Sequence, residues 1–349
     1  MRNIGLDFLR GIAVILVLFR HSSLENNLLQ HFGWLGVDLF FVLSGFLISN
    51  LLFREYKKNR NIRTKRFLIR RAFKIVPPFY IFMFSTLSIY QLTDHLPFNW
   101  LKFFSELLYV QNYFPNIWFH TWSLAVEAHF YLIFTLTVLF IIKKQLLENK
   151  VLIISFLGVL LIVSFIMRLF VSYPHRNDEV YGFVQTHLRS DGILFGILMS
   201  YLLNFTKALS FLQRRRVLLL SIAILLIAPA FYFVGGGFFM NTVGLTIVNL
   251  GFCLLVFLSL NMDEYFKKHS MLYFKVLVKP IGFIGVNSYS IYLWHLNSKS
   301  IVSQLFSSST NYTAYFYIVL SIVLGIFMSY LVEKPALILR DFTLKKAAV

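Results

Sequence analysis

VLIISFLGVLLIVSFIMRLFV, residues 151–171, decides the fold class. Crossing a bilayer takes about 20 mostly apolar residues, and this stretch carries a single charge, Arg168. Its backbone is expected to be helical, because an open sheet edge would leave unpaired N–H and C=O groups in lipid. Outward from it lie further apolar segments at roughly 6–24, 34–53, 75–92, 122–142, 190–206, 217–234, 241–260, 281–302 and 313–333. The expectation is an all-α, polytopic integral membrane protein of about ten transmembrane helices. It forms one transmembrane domain over 1–349, with no appended soluble domain. Composition agrees: 58% of residues are hydrophobic and 14% charged, against about 25% charged in soluble domains. Mean hydropathy is +0.71. The first segment does not read as a cleaved signal peptide, since Asp7 and Arg10 stand near its start and no small-residue cleavage site follows.

A net charge of +18 would suggest nucleic acid in a soluble protein. Here the basic residues cluster in short loops, which excludes that reading. Arg54, Lys57, Lys58, Arg60, Arg63, Lys65, Arg66, Arg70, Arg71 and Lys74 lie between the second and third segments. Lys143, Lys144 and Lys150 follow the fourth, and Lys207, Arg214, Arg215 and Arg216 the sixth. Lys267, Lys268, Lys275 and Lys279 follow the eighth, and Lys334, Arg340, Lys345 and Lys346 the last. The alternate loops hold only Lys102, Arg168, Arg176 and Arg189. Basic loops face the cytoplasm, so both termini are expected there. Gly235, Gly236 and Gly237 read as a tight turn on the outer side. Cys253 is the only cysteine and excludes an intrachain disulfide.

Charge inside lipid is costly, so polar residues within spans point to function. In LDFLRGIAVILVLFRH, Arg10 and His21 are eleven residues apart, on nearly one helical face and about 16 Å apart along the axis. Asp7 is placed to pair with Arg10. Interfacial anchoring by Arg10 and Arg20 fits the same spacing. In HTWSLAVEAHFY, Glu127 shares a stripe with Ser123 and Tyr131, and His129 falls on another face. A carboxylate there can orient an imidazole or move a proton, or simply be solvated at the outer interface. RRAFKIVPPFY brings Arg70, Arg71 and Lys74 to a membrane mouth, where they suit a phosphate-rich donor or plain topological charge. RSDGILFG and SYSIYLWH place Arg189 and Asp191 at the start of one span and His295 midway along another, beside Tyr292 and Trp294.

These segments resemble the acyltransferase-3 family of integral membrane acyltransferases over nearly the whole chain. LDFLRGIAVILVLFRH resembles its Arg-x10-His signature. FFVLSGFLIS, RRAFKIVPPFY, TWSLAVEAHFYL, RSDGILFG, SYSIYLWH and VEKP resemble its later blocks in the same order. The resemblance implies transfer of an acyl group, often acetyl from acetyl-CoA, to sugar hydroxyls of lipopolysaccharide, exopolysaccharide or peptidoglycan, or to smaller acceptors. The setting it implies is the bacterial cytoplasmic membrane, with acyl-CoA as co-substrate and no metal. Arg10 and His21 fill the signature pair and Glu127 the acidic position. Arg71 and Lys74 fill a basic pair that is usually two arginines, and Lys74 lacks the bidentate fork. Larger members carry a fused hydrolase-like domain absent from this sequence.

On this reading His21 is the general base, with an ordinary pKa near 6.5 that suits the task. Glu127 orients it or holds its charged form, and Arg10 contacts the donor or steadies the oxyanion. Arg70, Arg71 and Lys74 attract the donor phosphates. Asp38, Trp122 and Ser123 are candidates for substrate contact, as are Arg189, Asp191, Tyr292 and His295. Direct transfer and an acyl group carried covalently on His21 both remain open. A transporter or flippase of a lipid-linked sugar would also have buried polar groups in its spans, but no inverted repeat is visible. A catalytically silent relative is the other alternative.

Overall fold

The computed structural model describes residues 3–24, 28–92, 98–176, 183–233, 235–260, 262, 274–306 and 310–346. Every regular element among them is helical. In chain order these include α1 (Ile4–His21), α2 (Leu28–Phe32), α3 (Leu35–Asn59), α4 (Thr64–Leu92), α5 (Trp100–Leu107) and α6 (Trp122–Lys143). There follow α7 (Lys150–Ser172), α8 (Thr186–Arg189), α9 (Asp191–Phe205), α10 (Ala208–Gln213), α11 (Arg216–Ile227) and α12 (Pro229–Tyr232). The last are α13 (Leu245–Ser259), α14 (Lys279–Val286), α15 (Ser288–Leu305), α16 (Asn311–Met328) and α17 (Lys334–Lys346).

Each expected segment coincides with a helix or a broken pair of helices. Among the described residues, six helices are long and apolar enough to cross a membrane: Leu35–Asn59, Thr64–Leu92, Phe119–Lys143, Lys150–Ser172, Met240–Ser259 and Asn311–Leu344. The broken pair Val276–Val286 and Ser288–Leu305 makes a seventh if counted as one span. The shortfall from ten has local causes. α1 carries Asp7, Arg10 and Arg20. α9 has 15 residues, about 22 Å of helix. Pro229 starts a new helix after α11, since its ring cannot continue the hydrogen-bond ladder. The Gly235–Gly236 turn is present, with Gly236 at φ 94°, a conformation that suits a residue without Cβ. Lys267 and Lys268 lie outside the described residues.

The chain forms two compact units. The first comprises Met1–Arg20, Asn26–Ile62 and Val126–Gly285. Its centre is α3 packed along α9, with α13 against both. A Cβ on Gly45 would lie 2.1 Å from the Ile193 carbonyl oxygen, and one on Gly196 2.3 Å from that of Val42. Main chain therefore meets main chain, the close approach that small residues permit between membrane helices. Leu39, Val42, Phe46, Val256 and Phe257 fill the core around this contact.

The second unit comprises His21–Glu25, Arg63–Ala125 and Val286–Val349. α15 packs on α16, and a Cβ on Gly325 would meet Ile291 Cα at 2.4 Å. α17 packs on α4. Between α16 and α17 the chain makes a π-helical turn, Ser329–Glu333. Such widened turns recur at functional sites, and this one carries Glu333, 3% exposed. Tyr80 Oη donates to the Leu107 carbonyl and ties α5 to α4.

Candidate active site

In the second unit, three histidines from three sequence-distant segments share one cluster. The His21 and His295 ring centroids are 5.0 Å apart, as are those of His120 and His295. His295 is fully buried in α15, and His120 is 2% exposed in the 3-10 turn Phe119–Thr121 that leads into α6. Phe82 closes one side, its ring 5.8 Å from that of His120 and 5.2 Å from that of Trp294. An aromatic wall of this kind excludes water and strengthens the electrostatics inside it.

The main chain fixes both buried rings. His120 Nε2 lies 3.1 Å from the Leu293 carbonyl oxygen, and His295 Nδ1 lies 2.5 Å from that of Tyr292. A carbonyl only accepts, so those nitrogens carry the hydrogens. Tyr292 Oη donates to the His120 carbonyl at 2.7 Å and lies 2.6 Å from Ser123 Oγ. Ser123 and Tyr292 thus clamp the His120 turn onto α15. Trp122 opens α6 beside them, half-buried.

Glu106 braces the same turn. Its Oε1 accepts from the Ile117 and Trp118 amides at 3.1 and 3.2 Å, and its Oε2 lies 2.9 Å from Thr121 Oγ1. Burial pushes its carboxyl up from 4.5 to about 7 despite these bonds. Thr121 Oγ1 also lies 2.7 Å from the Trp118 carbonyl oxygen, a second acceptor for its one hydrogen. Tyr109, on the adjoining loop, is also pushed up by burial.

Of the three residues on α4 expected to meet the donor phosphates, Lys74 is ion-paired with Glu333, whose second oxygen accepts from Ser290 Oγ at 2.7 Å. Tyr289 Oη donates to the Ile75 carbonyl at 2.8 Å and locks α15 to the same turn of α4. Lys74 is therefore matched within the protein. Arg71 lies with its guanidinium carbon 5.7 Å from the Phe67 ring centroid, and Arg70 is half-buried one residue earlier.

The first unit holds the other expected residues. Arg10 lies 3.9 Å from Asp7, the pair expected from their spacing. Glu127 accepts from Ser44 Oγ and Tyr131 Oη, each at 2.7 Å. The Tyr131 contact follows the expected stripe, whereas Ser123 turns to Tyr292. His129 Nδ1 lies 2.8 Å from Thr186 Oγ1. Arg189 reaches Asp38 at 2.9 Å. Asp191 pairs with Arg168 and accepts from Asn249 Nδ2 at 3.1 Å, and Arg168 also donates to Thr246 Oγ1 at 2.6 Å. Arg168, grouped with outer-loop charge on sequence, is instead fully buried within α7. This unit also contains a cavity of about 340 Å³ between α6, α7 and α9. Apart from His187, no titratable side chain lines it.

Sequence reasoning missed His120, Glu106 and Glu333. His120 stands in a quoted block, two residues before α6 begins, where helical spacing has no purchase. Glu333 belongs to the VEKP block, but its partner is 259 positions away.

The family model described as an acyltransferase domain matches residues 3–332. The peptidoglycan O-acetyltransferase OatA of Listeria monocytogenes serovar 1/2a is 28% identical over 314 residues, covering 83% of this chain and 48% of that protein. The O-acetyltransferase OatA of Staphylococcus aureus strain NCTC 8325 is 28% identical over 316 residues, covering 83% and 49%. The chain thus spans about half the length of these relatives. No solved structure matches it. The signature helix, the ordered blocks and the match over residues 3–332 agree: the chain belongs to the acyltransferase-3 family.

Proposed function

We propose that this protein is a multi-pass membrane O-acyltransferase. It moves an acyl group, acetyl foremost, from an acyl-CoA thioester to a hydroxyl of a cell-envelope carbohydrate. The relatives named for O-acetyl transfer support the reaction, and the peptidoglycan enzyme supports a cell-wall glycan as acceptor. The proposed setting is the bacterial cytoplasmic membrane, with about ten crossings and both termini cytoplasmic.

The observation that carries the reading is the imidazole cluster. His21 stands beside two buried neutral rings in an aromatic enclosure. Such a place can take a proton from a hydroxyl and return it to a leaving group. As His21 removes that proton, the oxygen attacks the thioester carbonyl carbon, the C–S bond breaks, and the thiolate leaves. Arg10 is assigned to the donor, and Glu127 keeps the acidic role the family gives it. Arg70 and Arg71 are assigned to the donor phosphates, with Lys74 in support through its ion pair. Tyr292 and Ser123 set the walls of the reaction space, with Trp122 beside them. Asp38, Arg189 and Asp191 hold matched charges, which favours a scaffold role over direct acceptor contact.

The test uses purified protein in lipid nanodiscs with acetyl-CoA and cell-wall glycan. Acetyl transfer and release of coenzyme A are the expected result. Absence of thioester cleavage, with the protein folded, would overturn the reading and favour transport.

A further inference from the structure

Two buried ring nitrogens have no role in the chemistry so far. His120 Nε2 and His295 Nδ1 each serve a main-chain carbonyl. The other nitrogen of each neutral ring bears a lone pair and can only accept. Neither His120 Nδ1 nor His295 Nε2 has a hydrogen-bond partner among the described residues. A buried unsatisfied acceptor destabilises a fold, because it gives up its bond to water and gains none. Two of them stand in one cluster, on rings 5.0 Å apart. A fold that only needed to fill this volume would do so more cheaply with Phe or Leu.

His21 supplies the donor that such an acceptor needs. Its ring centroid is 5.0 Å from that of His295, at an interplanar angle of 51°. A centroid separation of 5.0 Å is short enough for a nitrogen of each ring to come within hydrogen-bond distance. Once His21 has taken the hydroxyl proton it is an imidazolium with two N–H donors, and its second N–H can bond to the lone pair on His295. An N–H⁺···N bond is charge-assisted and roughly twice as strong as a neutral one.

Resting on the reading of His21 as the base, we propose that His295 is its positioning partner. His295 Nε2 accepts a hydrogen bond from protonated His21 and stabilises the positive charge that forms during transfer. This is the service an acidic residue gives in a Ser-His-Asp triad, performed here by a neutral imidazole. The balance closes without a co-reactant. The acceptor O–H bond breaks as the O–C bond forms, and the proton moves to His21. The charge is shared with His295 while the thiolate leaves, and the proton then passes to the thiolate and resets both rings. His120 packs on the His295 ring, their centroids 5.0 Å apart.

The experiment compares two variants in nanodiscs, with acetyl-CoA and cell-wall glycan. His295→Asn keeps an N–H for the Tyr292 carbonyl and deletes the accepting nitrogen. His295→Gln places an amide oxygen near the lost Nε2. The expected result is a loss of about 100-fold in kcat for the Asn variant, with KM for acetyl-CoA unchanged and most of the activity retained in the Gln variant. On the wild-type protein, rate against deuterium fraction should curve, since more than one proton is shared in the transition state. Equal activity of Asn and wild type, equal losses in Asn and Gln, or a linear deuterium dependence would each overturn the partnership. His21→Ala separates this from the parent reading. Full activity there ends the proposed function itself, whereas an inactive His21→Ala beside a fully active His295→Asn ends only the partnership.

Discussion

The polar centres of the two units differ in kind. In the first, charge is met by charge: Arg168 with Asp191, and Arg189 with Asp38. In the second, the cluster around His295 contains neutral rings, and two ring nitrogens have no partner among the described residues. Matched ions lose little by staying as they are and gain nothing from a ligand. Unmatched acceptors are satisfied only when something brings a proton. The ionic set also holds buried atoms with no partner among the described residues, Asp38 Oδ2 and Arg168 Nε, so the contrast lies in ion pairs against imidazole rings.

Breaking the ionic set should produce the largest change in stability. Arg168→Ala leaves Asp191 as a buried uncompensated charge and should cost about 3–5 kcal/mol. It would be read as a lowered melting temperature in detergent. The double change Arg168→Met with Asp191→Leu removes both ions and should recover most of that loss. If the double variant stays as unstable as the single one, the pair is not simply structural.

Lys74 sharpens the contrast within the second unit, since its ion pair with Glu333 belongs to the matched kind. Lys74→Ala should lower stability, somewhat less than Arg168→Ala because Lys74 is 31% exposed, and leave KM for acetyl-CoA within about twofold. Arg71→Ala should raise that KM about tenfold, the loss of roughly one charge-assisted bond of about 1.4 kcal/mol. A reversed pattern would return Lys74 to the donor site.

Glu106 tests the brace on the His120 turn. Its proton is held up to about pH 7, against an ordinary value of 4.5. The stability contributed by the neutral form is therefore complete below 4.5 and lost as pH rises through 7. Wild-type melting temperature should fall between about pH 5 and pH 8, and Glu106→Gln, neutral throughout, should flatten that fall. The smallest effect belongs to Ser44→Ala, which removes a hydroxyl donor to Glu127 and leaves that of Tyr131; it should cost about 1 kcal/mol, or a few-fold in rate.

Much of the helical layout was legible because apolar length reports a span directly. Local pairs were legible too: Asp7 with Arg10 and Glu127 with Tyr131 follow from helical spacing. The long-range pairs were not. No periodicity links Lys74 to Glu333 or Asp38 to Arg189, which are 259 and 151 positions apart. Hydropathy also misjudged Arg168, since an average over the window does not say whether a charge faces a loop or a partner helix. Even His295, conspicuous as a mid-span histidine, gave no hint that its neighbours would be His21 and His120.

The most direct measurement of the central claim follows labelled acetyl from acetyl-CoA onto cell-wall glycan, by wild type and His21→Ala at equal folded amounts in nanodiscs. Label on the glycan with wild type and none above background with the variant is the outcome expected. Equal labelling by the two proteins would contradict the assignment of His21 and the reaction built on it.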